Sequence, residues 1–314
     1  MQILSKQTLE EIRRWIYKNA RPLDLALWQY HFENGSKEAV LAILPCYQNS
    51  DGGFGGAIEP DNWNPASTPY NAQFVIRILR QIDFYDTAHP VYQGLFRYLE
   101  NTEYKADYGW FFIIPSNDNY PHARWWDYNP QDNVFQSIGI TAILSGFILR
   151  YGEKQSNLYQ MAKEYAKLLV CKLPTTKNFG DMGIGGYCRL LDDLESAGLT
   201  KEFDHPDFSE QIFSLVRNKI QNETGNFMAN PLEFVLSPNS RFYDENKPEV
   251  ENALDQIILN RPASGVWDIP WEWYNGNEYP KAFAISENWW KSFEAIEKLL
   301  QLKRFGRLAK DIIL

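Results

Sequence analysis

The sequence predicts an all-α protein in which apolar inner helices alternate with outer helices that carry a charged face. Apolar residues recur with helical periodicity, no set of alternating strands is present, and one glycine-aromatic turn returns between the helical segments. A chain of 314 residues is long enough for one large domain with a substantial core. Because no low-complexity linker divides it, we expect residues 1–314 to form a single domain.

The predicted helices follow one another from the amino terminus. The first is amphipathic, and a capping box at Thr8 and Glu11 is expected to begin it. Four later segments have apolar residues at the spacing of one helix face, and they lie within 71–82, 134–149, 156–172 and 285–300. Residues 134–149 are apolar almost all round and must be covered on most sides, whereas 156–172 has a charged face. This contrast predicts inner and outer helices.

A short turn that combines glycine with an aromatic residue recurs between these helices. Its longest copy, Asp51 to Gly56, contains Phe54, and others surround Trp110, Phe227 and Trp267. Phe54 and Trp110 are 56 residues apart, and Phe227 follows after 117 more, about twice that spacing, which predicts a helix-pair repeat. Glycine permits a left-handed turn, and we expect the aromatic side chains to fill the next helical layer rather than to bind a ligand.

The segment from Gln48 to Gly56 resembles the repeat turns of the terpenoid cyclase and protein prenyltransferase superfamily. It fits the Gln-x-x-x-Gly-x-Trp pattern, with Phe54 in the aromatic place, and the Gly-Gly-Phe-x-Gly pattern of prenyltransferase β subunits. The resemblance implies an α/α toroid, built from helix-pair repeats, in which inner helices line a central cavity and outer helices surround them. Together with Glu59-Pro60-Asp61, the segment 121–126 and Trp271-Glu272-Trp273, the pattern is similar to a group of bacterial proteins that carry this repeat without a settled activity.

The catalytic motifs of that superfamily are incomplete in this chain. The class II cyclase motif Asp-x-Asp-Asp lacks its first aspartate at residues 190–193, and the magnesium-binding Asp-Asp-x-x-Asp ends in Ser196. No cysteine has an aspartate two residues before it, as the zinc site of protein prenyltransferases requires. The resemblance therefore favours the fold over any of these activities. An acid pair such as Asp192-Asp193 is typical of a solvated helix face.

The first candidate site is the acidic pair Glu59 and Asp61, which follows the glycine turn. Two carboxylates at this spacing can supply a general acid and an anionic partner. Alternatively, they cap the helix that begins near Ser67 and Thr68, or they bind backbone amides.

The second candidate site is the loop 117–127. His122 can exchange a proton near neutral pH, and an aspartate can orient its ring. Polar groups among aromatic side chains at a cavity mouth are typical of a binding site. The candidate ligand-binding residues of this loop are Asp118, Arg124, Trp125, Trp126 and Asp127. The alternative is a structural hydrogen bond of His122, with Arg124 stacked on Trp125.

The third candidate site consists of Trp271, Glu272 and Trp273. The two indole rings can form walls for an apolar or cationic ligand, and Glu272 can supply charge or act as a catalytic residue. Alternatively, this last turn closes the helical ring against the first helix around Trp15.

We expect neither a metal ion nor another cofactor. His31, His89 and His205 have no companion cysteine or histidine at ligand spacing. The glycine turn is followed by neither a lysine nor an immediate helix start, as a phosphate-binding loop requires.

Charge and cysteine content limit the partners and the compartment. A net charge of −9 and a pI near 5.1 argue against nucleic acid and anionic membranes as primary partners. Cys46, Cys171 and Cys188 lie beside apolar or aromatic neighbours, which indicates buried thiols in a reducing cytoplasm. The nearly apolar stretch 138–149 is shorter than the roughly 18 residues of a membrane span, and no signal peptide is evident. We expect a cytoplasmic protein without integral membrane association that binds a hydrophobic small molecule.

Three functions are compatible with these residues, and they leave open whether the protein is an enzyme. The first is a terpenoid cyclase-like or prenyltransferase-like protein that binds a hydrophobic or cyclic molecule in an aromatic-lined central cavity, where Glu59, Asp61 or His122 transfers a proton. The second is a carbohydrate-active α/α-barrel enzyme with Asp61 and Glu272 as its carboxylate pair. The third is a non-catalytic toroid scaffold. The first is motivated by the glycine turn, by the alternating helices and by the loops of the acids and His122, which we expect to meet at one rim.

Overall fold

The computed structural model describes residues 1–203, 207–222, 230–274 and 278–309 and is 62% helix and 3% strand, which confirms the all-α prediction. The described helices are α1 (Lys6–Asn19), α2 (Pro22–Phe32), α3 (Lys37–Ile43), α4 (Pro69–Gln81), α5 (Pro90–Asn101), α6 (Asn133–Tyr151), α7 (Asn157–Lys172), α8 (Gly183–Ser196), α9 (Phe208–Asn222), α10 (Lys247–Leu259) and α11 (Pro280–Arg304). Two short antiparallel strands, β1 (Lys105–Ala106) and β2 (Gly109–Trp110), pair Lys105 with Trp110.

Helix positions follow the apolar periodicity closely. The four segments predicted from periodicity correspond to α4, α6, α7 and α11. The start of α1 differs from the prediction, because Ser5 rather than Thr8 is its N-cap: the Ser5 hydroxyl oxygen accepts a hydrogen bond from the Thr8 amide at 3.1 Å. Thr68 and Ser156 cap α4 and α7 in the same way.

The chain divides into two compact units. Residues 1–46 and 217–314 form the terminal unit, and residues 47–216 form the central unit. The expectation of one domain spanning residues 1–314 stays a prediction.

In the terminal unit, α11 packs against α1, α2 and α10. The two ends of the described chain meet there, since Leu4 and Leu308 form a parallel bridge. The buried Arg307 guanidinium donates to the Gln2 carbonyl oxygen at 2.9 Å and to the Asp255 carboxylate at 2.7 Å. These contacts attach both chain ends to α10.

In the central unit, α6 packs against α4, α7 and α8. Gly139 of α6 faces Gly186 of α8 so closely that a Cβ atom on Gly186 would lie 2.6 Å from the Gly139 carbonyl oxygen. Only two residues without side chains permit this approach, which explains why glycine, a poor helix former, occurs inside both helices.

Asp193 of α8 is a buried ion-pair partner rather than part of a solvated helix face. Arg80 of α4 contacts both of its carboxylate oxygens, at 3.1 and 2.6 Å, and Arg150 of α6 lies 3.3 Å away. The Asp193 side chain is fully buried, whereas Asp192 is half-buried. The acid pair therefore splits between two environments, and its buried member joins three helices.

The glycine turn 51–56 is fixed by close backbone contacts. Gly52 has φ +96°, and a Cβ atom there would lie 2.2 Å from the Gly94 carbonyl oxygen of α5. The Gln48 side-chain amide donates to the Gly52 carbonyl oxygen at 2.9 Å. Phe54, Trp110 and Trp267 are all buried, whereas Phe227 and the turn around it lie outside the described residues, as does His205.

Two expectations need correction: that the three cysteines are buried, and that no apolar helix is long enough to span a membrane. Cys46 and Cys171 are exposed, and only Cys188 is buried. Within the described residues, one helix, α6, is long and apolar enough to cross a membrane, because it extends beyond the apolar stretch 138–149 at both ends. In the structure, 61% of its apolar window is buried, which fits the core helix of a soluble protein.

Candidate functional site

Glu59 and Asp61 lie in a loop that folds back on the glycine turn. Gly56 has φ +62°, and its amide donates to the Asn64 carbonyl oxygen at 2.8 Å, which closes the loop 56–64. Glu59 is 2% exposed and Asp61 is 1% exposed. The sequence predicts that this pair is catalytic, caps the following helix or binds backbone amides. The structure buries both carboxylates, and Thr68 rather than either acid is the N-cap of α4.

The loop 114–128 carries the other candidate residues of the central unit. It contains two short 3-10 helices, Pro115–Asn119 and Arg124–Trp126, with His122 between them. His122 and Trp126 are buried. Four other candidates in this loop are exposed: Asp118, Arg124, Trp125, which is 39% exposed, and Asp127.

These two loops meet through their backbones. The Trp63 amide donates to the Pro121 carbonyl oxygen at 3.0 Å, and the Ala123 amide donates to the Asp61 carbonyl oxygen at 2.9 Å. The resulting antiparallel bridge pairs Asn62 with His122. The backbone of the acidic loop therefore fixes the backbone of the histidine loop.

Three asparagine side chains, which the sequence analysis did not assign to a site, reinforce this junction. The Asn117 side-chain oxygen accepts hydrogen bonds from the side-chain amides of Asn62, at 3.2 Å, and Asn64, at 2.9 Å. The Asn117 side-chain amide in turn donates to the Trp126 carbonyl oxygen at 3.3 Å. All three asparagines are buried, so they position the site rather than contact solvent. No local sequence signal distinguishes them from exposed loop asparagines, because their partners lie 53–55 residues away in the sequence.

An aromatic cluster lies beside the acidic loop. Tyr70 packs edge-on against Phe112 and Trp126, with ring centroids 5.1 and 4.5 Å away, and Phe112 stacks on Trp126 at 5.0 Å. Burial, followed by the negative charge of Glu59, raises the pKa of Tyr70, and Asp61 acts in the same direction. The two carboxylates are thus within electrostatic range of an aromatic surface.

The Trp126 indole N–H is buried, and within the described part of the chain it has no hydrogen-bond partner. A buried donor of this kind loses its hydration unless a water molecule or a ligand accepts from it.

His122 lies within hydrogen-bonding distance of two oxygen atoms. Its Nδ1 lies 2.6 Å from the Tyr120 carbonyl oxygen, and its Nε2 lies 2.9 Å from Asp127 Oδ1. Asp118 Oδ1 accepts from the Tyr128 amide at 2.8 Å. One potential ligand atom from each of Asp118, His122 and Asp127 lies within 4.8 Å of the other two, so this arrangement could hold a metal ion. The sequence alone predicts no metal site here.

The third candidate cluster belongs to the terminal unit. Trp273 is fully buried and packs on Phe283 at 5.8 Å, whereas Trp271 is half-buried and meets Trp290 edge-on at 5.4 Å. Glu272 is exposed. The structure therefore joins the first two candidate clusters within the central unit, whereas the third belongs to the terminal unit.

A pocket of about 280 Å³ in the central unit contains none of the predicted site residues. It is lined in part by Phe96, Arg97 and Glu100 of α5 and by Tyr151 at the end of α6. The site is defined by its side-chain chemistry rather than by this pocket.

Comparisons with family models, with curated proteins and with solved structures find no match for this chain.

Proposed function

We propose that the chain is an acid–base enzyme that acts on an apolar or cyclic small molecule, as terpenoid cyclases do, and that Glu59 and Asp61 transfer the proton. The observation that carries this proposal is the burial of both carboxylates in a loop that is joined by backbone hydrogen bonds to the loop of Trp126, within electrostatic range of Tyr70. Buried ionisable groups that lie close together are characteristic of acid–base sites, and two buried carboxylates in one loop fit this pattern.

The surroundings suit an acid catalyst. Burial favours the neutral form of a carboxyl group, and the neutral form is the one that donates a proton. Tyr70, whose raised pKa keeps its hydroxyl group protonated, adds a neutral donor near Glu59. The Trp126 indole N–H is a further donor for an oxygen atom of a ligand.

The reaction that this site supports is an isomerisation or cyclisation of an alkene. One carboxylic acid gives its proton to an alkene carbon, so that a C–H bond forms, the π bond breaks and a carbocation remains. The faces of Tyr70 and Trp126 would stabilise that cation through their π electrons. In a cyclisation, a second π bond of the same molecule attacks this cation, so that a C–C bond forms and the positive charge moves to another carbon. In either reaction, a carbon next to the final cation loses a proton to the carboxylate, which forms a π bond and regenerates the carboxylic acid. No oxidant or other co-reactant is needed.

Turnover of a substrate panel tests this proposal. Linear triterpenes and prenyl diphosphates would be incubated with the protein, and products would be detected by mass spectrometry. We expect product from the wild type and a loss of at least a hundredfold in Glu59→Gln or Asp61→Asn, because general acid–base catalysis contributes roughly 10²–10⁴-fold. The matched control is Glu153→Gln, which changes an exposed acid of the same unit and should leave turnover unchanged.

The outcome also separates the alternatives. Cleavage of oligosaccharides that depends on Asp61 and Glu272 would favour the carbohydrate-active enzyme. Ligand binding that persists in the Glu59, His122 and Glu272 alanine variants, without turnover of either panel, would favour the non-catalytic scaffold. Circular dichroism of each variant distinguishes loss of chemistry from loss of fold.

We further propose the α/α toroid as the arrangement of the helices and the cytoplasm as the compartment of the protein. The toroid proposal is supported by the resemblance of the segment from Gln48 to Gly56 and by the buried inner helix α6. An experimental density map that shows a ring of helices around a central cavity would support it, and a bundle without a cavity would contradict it.

A further inference from the structure

We propose that Asp118, His122 and Asp127 bind one divalent transition-metal ion. One ligand atom from each residue lies within 4.8 Å of the other two. This inference shares His122 with the site of the proposed function but does not depend on acid catalysis by Glu59 and Asp61, and it is tested without turnover.

The orientation of the His122 ring is the first argument. The Tyr120 carbonyl oxygen lies 2.6 Å from Nδ1 and can only accept a hydrogen bond, so it holds the Nδ1 side of the ring. The other ring nitrogen, Nε2, faces Asp127 Oδ1 at 2.9 Å, on the side where the candidate ligand atoms meet. Histidine ligands of metal ions usually donate their second ring nitrogen to a carbonyl or carboxylate group in this manner.

Rigid support of the ligands is the second argument. His122 is 3% exposed, and its backbone is paired with Asn62 of the acidic loop. The Asp118 carboxylate is held by the Tyr128 amide at 2.8 Å, which leaves the second oxygen of that carboxylate as a ligand. Ligand positions that are fixed in advance reduce the entropy cost of binding an ion.

The ligand set indicates the class of ion. Imidazole nitrogen favours zinc and other transition metals, whereas a site for magnesium or calcium consists of oxygen ligands. Bonds of about 2.0–2.2 Å to each ligand place ligand atoms roughly 3–4 Å apart, and the Nε2 to Oδ1 distance of 2.9 Å is close to this range. The exposed side chain of Asp127 can close the remaining gap by rotation. Three protein ligands leave at least one coordination position for water or substrate.

Direct metal binding tests this inference. The full-length protein would be treated with a chelator and dialysed, then titrated with Zn²⁺ and Mn²⁺ by calorimetry, and Co²⁺ would be added as a spectroscopic substitute. We expect one ion per chain and visible Co²⁺ absorption bands that Mg²⁺ does not abolish. Asp127→Asn and Asp118→Asn should each weaken Zn²⁺ binding at least tenfold, and His122→Gln more strongly.

The matched control is Asp107→Asn, an exposed aspartate of the same unit that should leave Zn²⁺ binding unchanged. Equal Zn²⁺ affinity in the wild type and Asp127→Asn would overturn the inference. So would nitrogen NMR spectra that show two N–H protons on His122 and no change on Zn²⁺ addition, because a proton alone would then occupy Nε2. Glu59→Gln should still bind the metal ion. Turnover by a protein that binds no metal would therefore reject only this inference. Metal binding by a protein that shows no turnover would reject only the proposed function.

Discussion

Replacing Gly186 by alanine should weaken the protein, whereas the same change at the adjacent Gly185 should strengthen it. A Cβ atom on Gly186 would lie 2.6, 2.7 and 3.0 Å from three backbone atoms of Gly139, so α6 and α8 would have to move apart by roughly 1 Å to reach van der Waals distance. Nothing lies within 4 Å of the corresponding position on Gly185. Both residues lie in α8, which makes Gly185→Ala a closely matched control.

The magnitudes follow from two opposing effects. Overpacking against backbone atoms costs about 1–3 kcal/mol, and the upper part of that range applies because backbone cannot rotate away as a side chain can. Alanine in place of glycine inside a helix gains about 1 kcal/mol. We therefore expect Gly186→Ala to lose about 2 kcal/mol of unfolding free energy and Gly185→Ala to gain up to about 1 kcal/mol. The difference of about 3 kcal/mol is more than a hundredfold in the unfolding equilibrium.

Urea denaturation followed by far-UV circular dichroism measures both variants. A lower midpoint at an unchanged slope shows a change in stability rather than in the surface exposed on unfolding. Gly139→Ala should resemble Gly186→Ala, because a Cβ atom there would lie 2.5 Å from the Met182 Cβ atom. If Gly186→Ala were as stable as Gly185→Ala, the close approach of α6 and α8 would be refuted.

Three further variants test the central and terminal units. Asp193→Asn should lower the unfolding free energy by about 2–4 kcal/mol. This is less than the full cost of breaking a buried ion pair, because the side chains of Arg80 and Arg150 are 22% and 34% exposed. The surface control Glu164→Gln should change the unfolding free energy by less than about 1 kcal/mol. Equal urea midpoints for these two variants would contradict that role. Asn117→Ala should lower stability by about 2–3 kcal/mol by calorimetry, since two buried amides lose their acceptor, and the exposed Asn119→Ala should not. The Gln2 amide, aided by Arg307 and the amino terminus, lowers the pKa of Asp255 from 3.8 to about 2, so its contribution is present above about pH 4 and is lost as the pH falls towards 2. Asp255→Asn should therefore be less stable than the wild type at pH 5 and equally stable near pH 2, and a constant difference at both values would contradict this origin.

Local features of this chain could be predicted from its sequence. Helix positions depend on the spacing of apolar residues a few positions apart, and α4, α6, α7 and α11 follow that spacing. The N-cap of α1 was predicted at the wrong residue, because both Ser5 and Thr8 are suitable capping types and only backbone geometry selects one.

Features that depend on distant residues could not be predicted in this way. The burial of Asp193 could not be predicted from its neighbours in the sequence, because its ion-pair partner Arg80 is 113 residues away. The acidic loop and the histidine loop were each selected as candidates on their composition, but their junction depends on Asn62 and Asn117, which are 55 residues apart. Side chains of ordinary polar type carry no local sign that they are buried, so only the fold identifies them.

The order in which the two units occur along the chain has a consequence for synthesis. The central unit is one continuous segment, residues 47–216, whereas the terminal unit combines 1–46 with 217–314. During translation, the central unit can bury its core as soon as it leaves the ribosome, but α1, α2 and α3 must wait for α11. The apolar faces of the first 46 residues remain exposed throughout that interval. A nascent chain stalled before α10 should therefore bind chaperones through its amino-terminal helices while its central unit already resists protease.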